Sequence, residues 1–268
     1  MSIPSTQGTA LITGASSGIG ATYAERLAKR GFDLILVARD QVRLETLATA
    51  LRTRTSVNVE VLRADLTQAS DLASLEQRLR SDASITWLLN NAGVALNGSL
   101  AEAEPTEVNR LIQLNIVALT HLASAAAASF SSRGQGAVVN IASVVPMLPE
   151  RFNAVYTASK AYVLSLTQSL SAEMSDKGVQ VQAVMPGATR TEIWERAGID
   201  LAKFPPEIVM DVSDMVDAAL AGFDQKESVT IPSLPDAADW EAFLNARQAL
   251  GPNLSLQQAA LRYKTSGA

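Results

Sequence analysis

The sequence predicts an α/β protein built on one doubly wound parallel sheet of about seven strands, with helices on both faces. Two observations predict it. Short apolar runs alternate with longer helical patterns from Thr9 to Pro232, and each run is hydrophobic throughout instead of at every second residue. Strands buried on both faces have this composition, and strand–helix alternation with right-handed crossovers gives a parallel sheet. A ligand of such a sheet lies at the carboxyl ends of its strands.

The bulk composition excludes several classes of protein. With 268 residues, 47% of them hydrophobic, and no Gly, Ser or Pro run that marks a linker, we expect one domain, 1–268. A formal charge of −5 without a basic stripe argues against a nucleic-acid partner. The chain has no cysteine, its start lacks a secretion signal, and no apolar run looks long enough to span a bilayer. We therefore expect a cytoplasmic protein without a membrane partner.

The first half of the chain holds four predicted strands. TALIT (Thr9–Thr13) is a buried strand that ends at a glycine, and the alanine-rich amphipathic stretch after the glycine loop is a helix stopped by Gly31. The elements that follow are a strand at DLILVA, a helix from about Gln41 to Arg54, a strand at VNVEVLRA that ends at Asp65, a helix from about Ala69 to Ser81 and a strand at ITWLLN.

The second half continues the alternation. Its predicted elements are a long alanine-rich helix over Thr106–Ser132, a strand to Ala142, a helix opened by Tyr156, a strand at VQVQAVMPG, a proline-interrupted region up to Met210, a helix from about Ser213 to Phe223 and a strand at ESVTIP. Two short helical patterns between Ala237 and Tyr263 finish the chain.

A glycine-rich loop joins the first strand to the first helix. Gly14, Gly18 and Gly20 form G-x-x-x-G-x-G, which differs from the usual dinucleotide fingerprint in spacing. Glycines let the backbone approach a pyrophosphate closely, and the helix N-terminus offers free N–H groups with a partial positive charge. The position between strand and helix favours nucleotide binding over a plain glycine-rich turn.

The same loop also matches the nucleophile elbow of hydrolases, because Gly14, Ser16 and Gly18 form G-x-S-x-G. An elbow serine needs a histidine base, and the only histidine is His121, on an alanine-rich helix. The elbow normally follows several strands, whereas this loop follows the first. We therefore reject the hydrolase hypothesis.

The second strand ends in Val37-Ala38-Arg39-Asp40. A carboxylate at the strand end would bind the ribose 2′-OH of NAD and repel a 2′-phosphate. Ala38 takes that place, and Arg39 can pair with a phosphate, so the sequence favours NADP(H) over NAD(H). Two alternatives remain: Arg39 is a surface arginine, or Asp40 acts as the acid if the strand ends later.

A serine, a tyrosine and a lysine mark the predicted site of the chemistry. Ser143 follows the fifth strand, and Tyr156 and Lys160 stand four residues apart in a helix, so both project from one face. Three further polar features, Asp65, the turn Asn90-Asn91-Ala92-Gly93 and Asn115, fit a helix cap, a polar turn and a surface amide as well as a site.

Taken together, these residues resemble the short-chain dehydrogenase/reductase family in its single-domain branch. The resemblance covers Thr9 to about Thr191 and rests on TGASSGIG, Asp65-Leu66, NNAG, Asn115, Ser143, YTASK and Pro186-Gly187, in the order and spacing of the family. It implies a Rossmann-type domain and a catalytic tetrad of Asn115, Ser143, Tyr156 and Lys160. The positions that the resemblance, with Arg39, assigns to the cofactor are Gly14, Ser16, Ser17, Gly18, Ile19, Gly20, Arg39, Asp65, Leu66, Asn91, Ala92, Gly93, Tyr156, Lys160, Pro186, Gly187, Thr189 and Thr191.

The residue types of the tetrad suggest a mechanism. A free phenol has a pKa of about 10, and we expect the Lys160 ammonium and the oxidised nicotinamide to lower it. Tyr156 then gives its proton to a carbonyl oxygen as hydride arrives, while Ser143 stabilises the charge on that oxygen. Asn115 would link a water chain. No metal-ligand cluster is apparent.

The chain departs from the family after Thr191. We expect 1–140 to be mainly the cofactor-binding half, 141–232 the catalytic half with a substrate lid at 188–212, and 233–268 a helical extension. Apolar residues in and near the lid suggest an apolar pocket, and they fit ordinary packing as well. The extension argues against the usual tetramer, so we expect a homodimer, with a tetramer as the other possibility. Two functions stay open: a reductase of a small carbonyl compound or dehydrogenase of the alcohol, and a catalytically silent NADP(H)-binding regulator.

Overall fold

The computed structural model describes residues 7–264. The expectation that the chain starts without a secretion signal falls largely on residues 1–6, and the expected extension includes residues 265–268. Both of these terminal stretches lie outside the described residues.

Seven strands form one sheet in the order β3-β2-β1-β4-β5-β6-β7, and every pairing in it is parallel. The strand order reverses between β1 and β4, which places the expected ligand crevice at their carboxyl ends. The predicted fold class, a Rossmann-type doubly wound sheet, is confirmed. The strands are β1 (Thr9–Thr13), β2 (Asp33–Ala38), β3 (Val59–Arg63), β4 (Ile85–Asn90), β5 (Gly136–Ile141), β6 (Val179–Val184) and β7 (Val229–Thr230).

The helices follow the strands along the chain in the alternation that the sequence predicts. They are α1 (Gly18–Lys29), α2 (Gln41–Arg54), α3 (Ala69–Ser81), α4 (Pro105–Ile112), α5 (Leu119–Arg133), α6 (Ala154–Glu173), α7 (Ile193–Arg196), α8 (Val212–Asp224) and α9 (Ala237–Ala249). The long helix predicted over Thr106–Ser132 is interrupted by a π-helical segment, Gln113–Ala118. Such segments insert an extra residue into a turn and occur often at functional sites.

The continuous hydrophobicity of the strands follows from burial on both faces. Within β1, Ala10 and Ile12 pack in one core cluster with Leu27 of α1, whereas Leu11 packs in the other. That second cluster includes Phe130 of α5. The two clusters lie on opposite faces of the sheet because alternate side chains of a strand point to opposite faces.

Residues Pro105–Arg133 are, within the described part of the chain, the one helical run long and apolar enough to cross a membrane by length and composition. The expectation that no segment reaches that length is wrong by these two criteria. Half of the most apolar window is buried inside the protein, and alanines and Phe130 of α5 belong to the core. Core helices of this kind pass the same test.

Two predicted elements are shorter than the sequence indicates. The strand predicted at ESVTIP is reduced to Val229–Thr230, which pairs with Ala183 and Val184. The chain divides after Pro232 into two compact units. In the second unit α9 has no buried residue, and the second helical pattern forms only 3₁₀ turns, at Gly251–Asn253 and Leu261–Tyr263.

Candidate active site

A cleft of about 860 Å³ opens at the carboxyl ends of the strands, where the strand order reverses. The predicted cofactor residues in its wall are Gly14, Ser16, Ser17, Gly18, Ile19, Arg39, Asp65, Leu66, Asn91, Ala92, Gly93 and Thr191. The predicted cofactor residues that do not line this cleft are Gly20, Tyr156, Lys160, Pro186, Gly187 and Thr189.

The glycine loop fits a phosphate group closely. Gly14 and Gly18 adopt left-handed backbone conformations, with φ of 66° and 53°, which side chains other than glycine rarely take. A Cβ on Gly20 would lie 2.3 Å from the carbonyl oxygen of Gly14, so the helix packs against the loop only because that atom is missing. Ser17 is the N-cap of α1 and makes no side-chain cap bond, so the helix start faces the cleft and can receive an anion.

The structure at the end of β2 excludes one of the two alternatives to a 2′-phosphate site at Arg39. The strand ends at Ala38, and Asp40 is the N-cap of α2, where its carboxylate accepts the backbone N–H of Arg43 at 3.0 Å. Asp40 is therefore not the strand-end acid. Arg39 is exposed, lines the cleft, and forms no hydrogen bond or ion pair with the described residues.

Asp65 lies at the neighbouring strand end and is not a helix cap, since α3 is capped by Gln68. Its carboxylate accepts the backbone N–H and the hydroxyl of Thr67, at 3.0 and 2.8 Å. Burial acts to raise the pKa of Asp65, but the bonds from Thr67 and the charges of Arg39 and Arg110 outweigh it and lower that pKa. Asp65 is thus an anion that faces two cleft arginines.

Asn91 fixes the loop on the other side of the cleft. Its side-chain amide donates to the carbonyl oxygens of Thr13 and Gly14, at 3.0 and 3.1 Å. The Thr13 hydroxyl accepts the backbone N–H groups of Asn91 and Ala92. The NNAG turn is therefore bonded directly to the end of β1 and to the glycine loop. Thr13 carries this arrangement; it is the first residue of the TGASSGIG motif, but the sequence analysis assigns it no role.

Ser143, Tyr156 and Lys160 come together, as predicted, at the end of β5 and the start of α6. Lys160 is buried, donates to the carbonyl oxygen of Ile141 at 2.8 Å, and its Nζ lies 5.8 Å from the centre of the Tyr156 ring. Ser143 faces the phenol, since its hydroxyl acts to lower the pKa of Tyr156. The helix begins at Ala154 instead of Tyr156, because Asn153 caps it by accepting the Tyr156 N–H.

Burial dominates the electrostatics of this group. Burial of the phenol raises the pKa of Tyr156 to about 12, against the lowering effect of the Ser143 hydrogen bond. Burial lowers the pKa of Lys160 to about 8. The phenol is therefore neutral at pH 7, and the Lys160 ammonium does not lower its pKa in the protein alone. The expected lowering of that pKa by Lys160 together with an oxidised nicotinamide stays a prediction.

Asn115 connects the cleft wall to the tyrosine helix. Its Oδ1 accepts the Val94 N–H at 2.9 Å, and its Nδ2 donates to the Val94 carbonyl at 2.9 Å and to Ser159 Oγ at 3.2 Å. Ser159 in turn donates to the Tyr156 carbonyl at 2.7 Å. Both amide protons of Asn115 thus donate to protein groups. The residue is a buried structural amide that links Val94 to Ser159 of α6, and it is not a surface amide. Its predicted link to a water chain stays a prediction.

The predicted lid, 188–212, is closed at its base. Thr189 and Met210 form a parallel bridge, and Met210 donates its N–H to the Ala188 carbonyl at 2.9 Å. Inside the lid the Trp194 indole donates to the Thr189 carbonyl at 2.7 Å and packs against Phe204. The base of the lid also approaches the serine, since the Ser143 hydroxyl lies 3.4 Å from the Pro186 carbonyl oxygen.

Several charged residues of the cleft were not predicted from the sequence. Glu192, Arg196 and Arg110 line the cleft, and Arg43 bonds to Glu192 from outside it. The spacing of Glu192 and Arg196, four apart, is a signal for a helical ion pair. The pairing of Glu192 with Arg43 has no local signal, because 149 residues separate the two.

His121 makes a hydrogen-bonding contact at the surface. Its Nδ1 lies 2.7 Å from Glu76 Oε1, where α5 packs on α3. Among the described residues no group of three His, Cys, Asp or Glu side chains is arranged to hold a metal ion.

The chain is similar to several known proteins. A family model described as short chain dehydrogenase matches residues 8–201. An uncharacterized oxidoreductase of Staphylococcus saprophyticus is 30% identical over 83% of this chain and 93% of its own. A short-chain dehydrogenase from Sphingobium yanoikuyae, solved in complex with NADPH, has a TM-score of 0.93 and 55% identity over 98% of this chain and 100% of its own. A bulky-bulky ketone specific alcohol dehydrogenase from Comamonas testosteroni has a TM-score of 0.88 and 50% identity over 96% and 98%.

Proposed function

This chain belongs to the short-chain dehydrogenase/reductase family, an oxidoreductase family whose members act on carbonyl and alcohol groups, and from that premise we propose that it is an NADPH-dependent reductase of ketones. The observation that carries the proposal is the group of Ser143, Tyr156 and Lys160, in which a neutral, half-buried phenol stands beside a serine and a lysine. This group is linked through Asn115 to the wall of a cleft of dinucleotide type.

The cofactor residues fit their proposed role. The loop from Gly14 to Gly20 would hold the pyrophosphate through its backbone N–H groups and the start of α1. Asp65 and Leu66 would contact the adenine, Asn91, Ala92 and Gly93 would line the central part, and Lys160 would bind the nicotinamide ribose. When bound, the cofactor supplies or accepts the hydride. Pro186, Gly187, Thr189 and Thr191, at the base of the lid, would seat the nicotinamide.

The proton chemistry belongs to the protein. In reduction the Tyr156 hydroxyl gives its proton to the carbonyl oxygen, which a phenol of raised pKa can do because it is fully protonated at neutral pH. The Ser143 hydroxyl donates to the same oxygen and stabilises the charge that develops on it. Lys160, held by the Ile141 carbonyl, keeps a positive charge close to the phenol below its own pKa of about 8.

The preference for NADP(H) rests on the end of β2. Arg39 lines the cleft without an ion-pair partner among the described residues, and no acid stands at the strand end, since Asp40 is engaged as a cap. The NADPH bound to the Sphingobium yanoikuyae relative supports the same choice.

Ketones with apolar substituents are the proposed substrates. Trp194 and Phe204 form an apolar surface in the lid, and Leu148 and Phe152, after Ser143, are large apolar side chains that remain exposed. The Comamonas testosteroni relative is described as specific for ketones with two bulky groups, so we extend the proposed class from small ketones to bulky ones. A homodimer through the helices of Asn115 and Tyr156, and a cytoplasmic location, stay predictions.

The experiment is NADPH oxidation by the purified protein with ketones, aldehydes and 3-oxoacyl thioesters graded by the size of their substituents. We expect turnover of at least one ketone, and loss of nearly all turnover in Tyr156→Phe with little change in NADPH affinity. Tyr162→Phe, a tyrosine of α6 bonded to Thr120, is the matched control and should keep its turnover. Tight NADPH binding without turnover of any compound would favour the silent regulator instead.

A further inference from the structure

A carboxylate of the lid stands between two arginines at the edge of the cofactor cleft. Arg43 Nη1 of α2 lies 2.9 and 2.7 Å from the two carboxylate oxygens of Glu192, and Arg196 Nη2 lies 2.6 Å from one of them. Arg196 also reaches to 3.4 Å from the Ser17 hydroxyl of the glycine loop. Glu192, Arg196 and Ser17 all line the cleft. This triad of Arg43, Glu192 and Arg196 therefore joins α2, the lid and the phosphate loop.

Arg43 lies close to the end of β2, at the edge of the cleft. It lies in the first turn of α2, and its Nε is 3.5 Å from the carboxylate of Asp40, which lines the cleft directly after Arg39. In a sheet of this kind the end of β2 faces the adenosine ribose. Arg43 itself lies just outside the cleft wall, and it contacts two residues of that wall, Asp40 and Glu192.

The pair of Arg43 with Glu192 is suited to exchange. Its side chains keep 48% and 41% of their exposure, and ion pairs this exposed contribute little to stability. A phosphate carries more charge than a carboxylate and accepts from an arginine in the same forked geometry. An incoming 2′-phosphate can therefore displace Glu192 from Arg43 without breaking a strong interaction.

We propose, on the basis of the proposed function, that Arg43 is a second specificity-determining residue for the 2′-phosphate and that Glu192 is an internal anion competing with that phosphate for it. Glu192 holds Arg43 when no 2′-phosphate is present and releases it to NADP(H). NADH, which has a 2′-hydroxyl at this point, leaves the pair intact. Glu192 thereby weakens NADP(H) binding in proportion to the strength of its pair with Arg43.

The test is the ratio of the dissociation constants of NADH and NADPH, measured by fluorescence titration at fixed salt for the full chain. The ratio cancels any effect of Arg196 on the pyrophosphate, which both cofactors carry. Arg43→Gln should lower the preference for NADPH about threefold to tenfold. Glu192→Gln should raise it about twofold to fivefold, the range of an exposed ion pair. In Arg43→Gln the second change Glu192→Gln should have no effect on the ratio.

Two further measurements separate the outcomes. Adenosine 2′,5′-bisphosphate should follow the NADPH pattern in calorimetry and adenosine 5′-monophosphate should not, independently of any turnover. Asp224→Asn removes the partner of another exposed arginine–carboxylate pair, Arg30 with Asp224 at 2.8 Å, and should leave the ratio unchanged.

An effect of Glu192→Gln that persists without Arg43, or a lower preference for NADPH in Glu192→Gln, would overturn the competition. Wild-type protein that binds neither cofactor would defeat the proposed function as well, whereas normal binding with a silent Arg43 would defeat only this inference.

Discussion

The burial of Lys160 should make the free energy of unfolding depend on pH. Burial lowers the pKa of Lys160 from 10.5 to about 8 in the folded protein. Between these two values the unfolded chain binds more protons than the folded one, so the free energy of unfolding should rise with pH in that window. Integration from pH 7 to pH 9.5 gives a rise of about 2 kcal/mol, to the accuracy of the pKa values.

The perturbation is Lys160→Met, which keeps the length of the side chain and removes the titrating group. Loss of the bond to the Ile141 carbonyl shifts the variant's stability by an amount that does not depend on pH, so the comparison uses the difference between wild type and variant at each pH. Other titrating groups largely cancel in this difference. Lys177→Met, at an exposed lysine, is the matched control.

The assay is urea unfolding at five or six pH values from 7 to 9.5. The stability of wild type relative to Lys160→Met should increase by about 2 kcal/mol across the range, and wild type relative to Lys177→Met should stay flat. Parallel curves for wild type and Lys160→Met would refute the account of Lys160 as a buried ammonium.

Three further predictions concern the cleft and its supports. Arg39→Ala should weaken NADPH about tenfold and leave NADH nearly unchanged, and Ala38→Asp should reverse the preference, as measured by titration; an equal loss for both cofactors would make Arg39 a mere surface charge. Gly20→Ala should abolish NADPH binding or folding, because its Cβ would meet the Gly14 carbonyl at 2.3 Å, whereas Gly251→Ala, with nothing within 4 Å, should be silent in the same titration. Asn115→Ala should lower the free energy of unfolding by about 2–4 kcal/mol, since it leaves both backbone polar groups of Val94 without their partner. A loss below about 1 kcal/mol in urea unfolding would contradict the structural role of Asn115.

The sheet was predictable because its signal is local. Strands buried on both faces are apolar at every position, and β1, β2 and β4 coincide with the predicted runs. The bounds of α2 and α3 also agree with the prediction. The π-helical segment around Asn115 was not predictable, because a single inserted residue hardly changes the hydrophobic period of a long alanine-rich helix.

The candidate site likewise has features that the sequence predicts and features that it does not. Helical spacing places Tyr156 and Lys160 on one face, and Ser143 follows a strand. The grouping of all three was predicted from these positions together with the family resemblance. The direction of the Tyr156 pKa shift depends on burial, which the sequence does not state. In the protein alone that pKa is raised, and its lowering by Lys160 with an oxidised nicotinamide stays a prediction. The cap formed by Asp40 and the pairing of Glu192 with Arg43 depend on tertiary positions that no local pattern encodes.

The central claim is that this protein moves a hydride from NADPH to a ketone. Its most direct test is single-turnover reaction of the wild-type protein with NADPH carrying deuterium at C4 of the nicotinamide, in each of the two stereochemical labels, followed by mass spectrometry of the product alcohol. The account predicts one deuterium on the carbinol carbon from one of the two labels, and almost no product with Tyr156→Phe. Bound NADPH that gives no deuterated alcohol from either label, with any ketone of the graded panel, would contradict it.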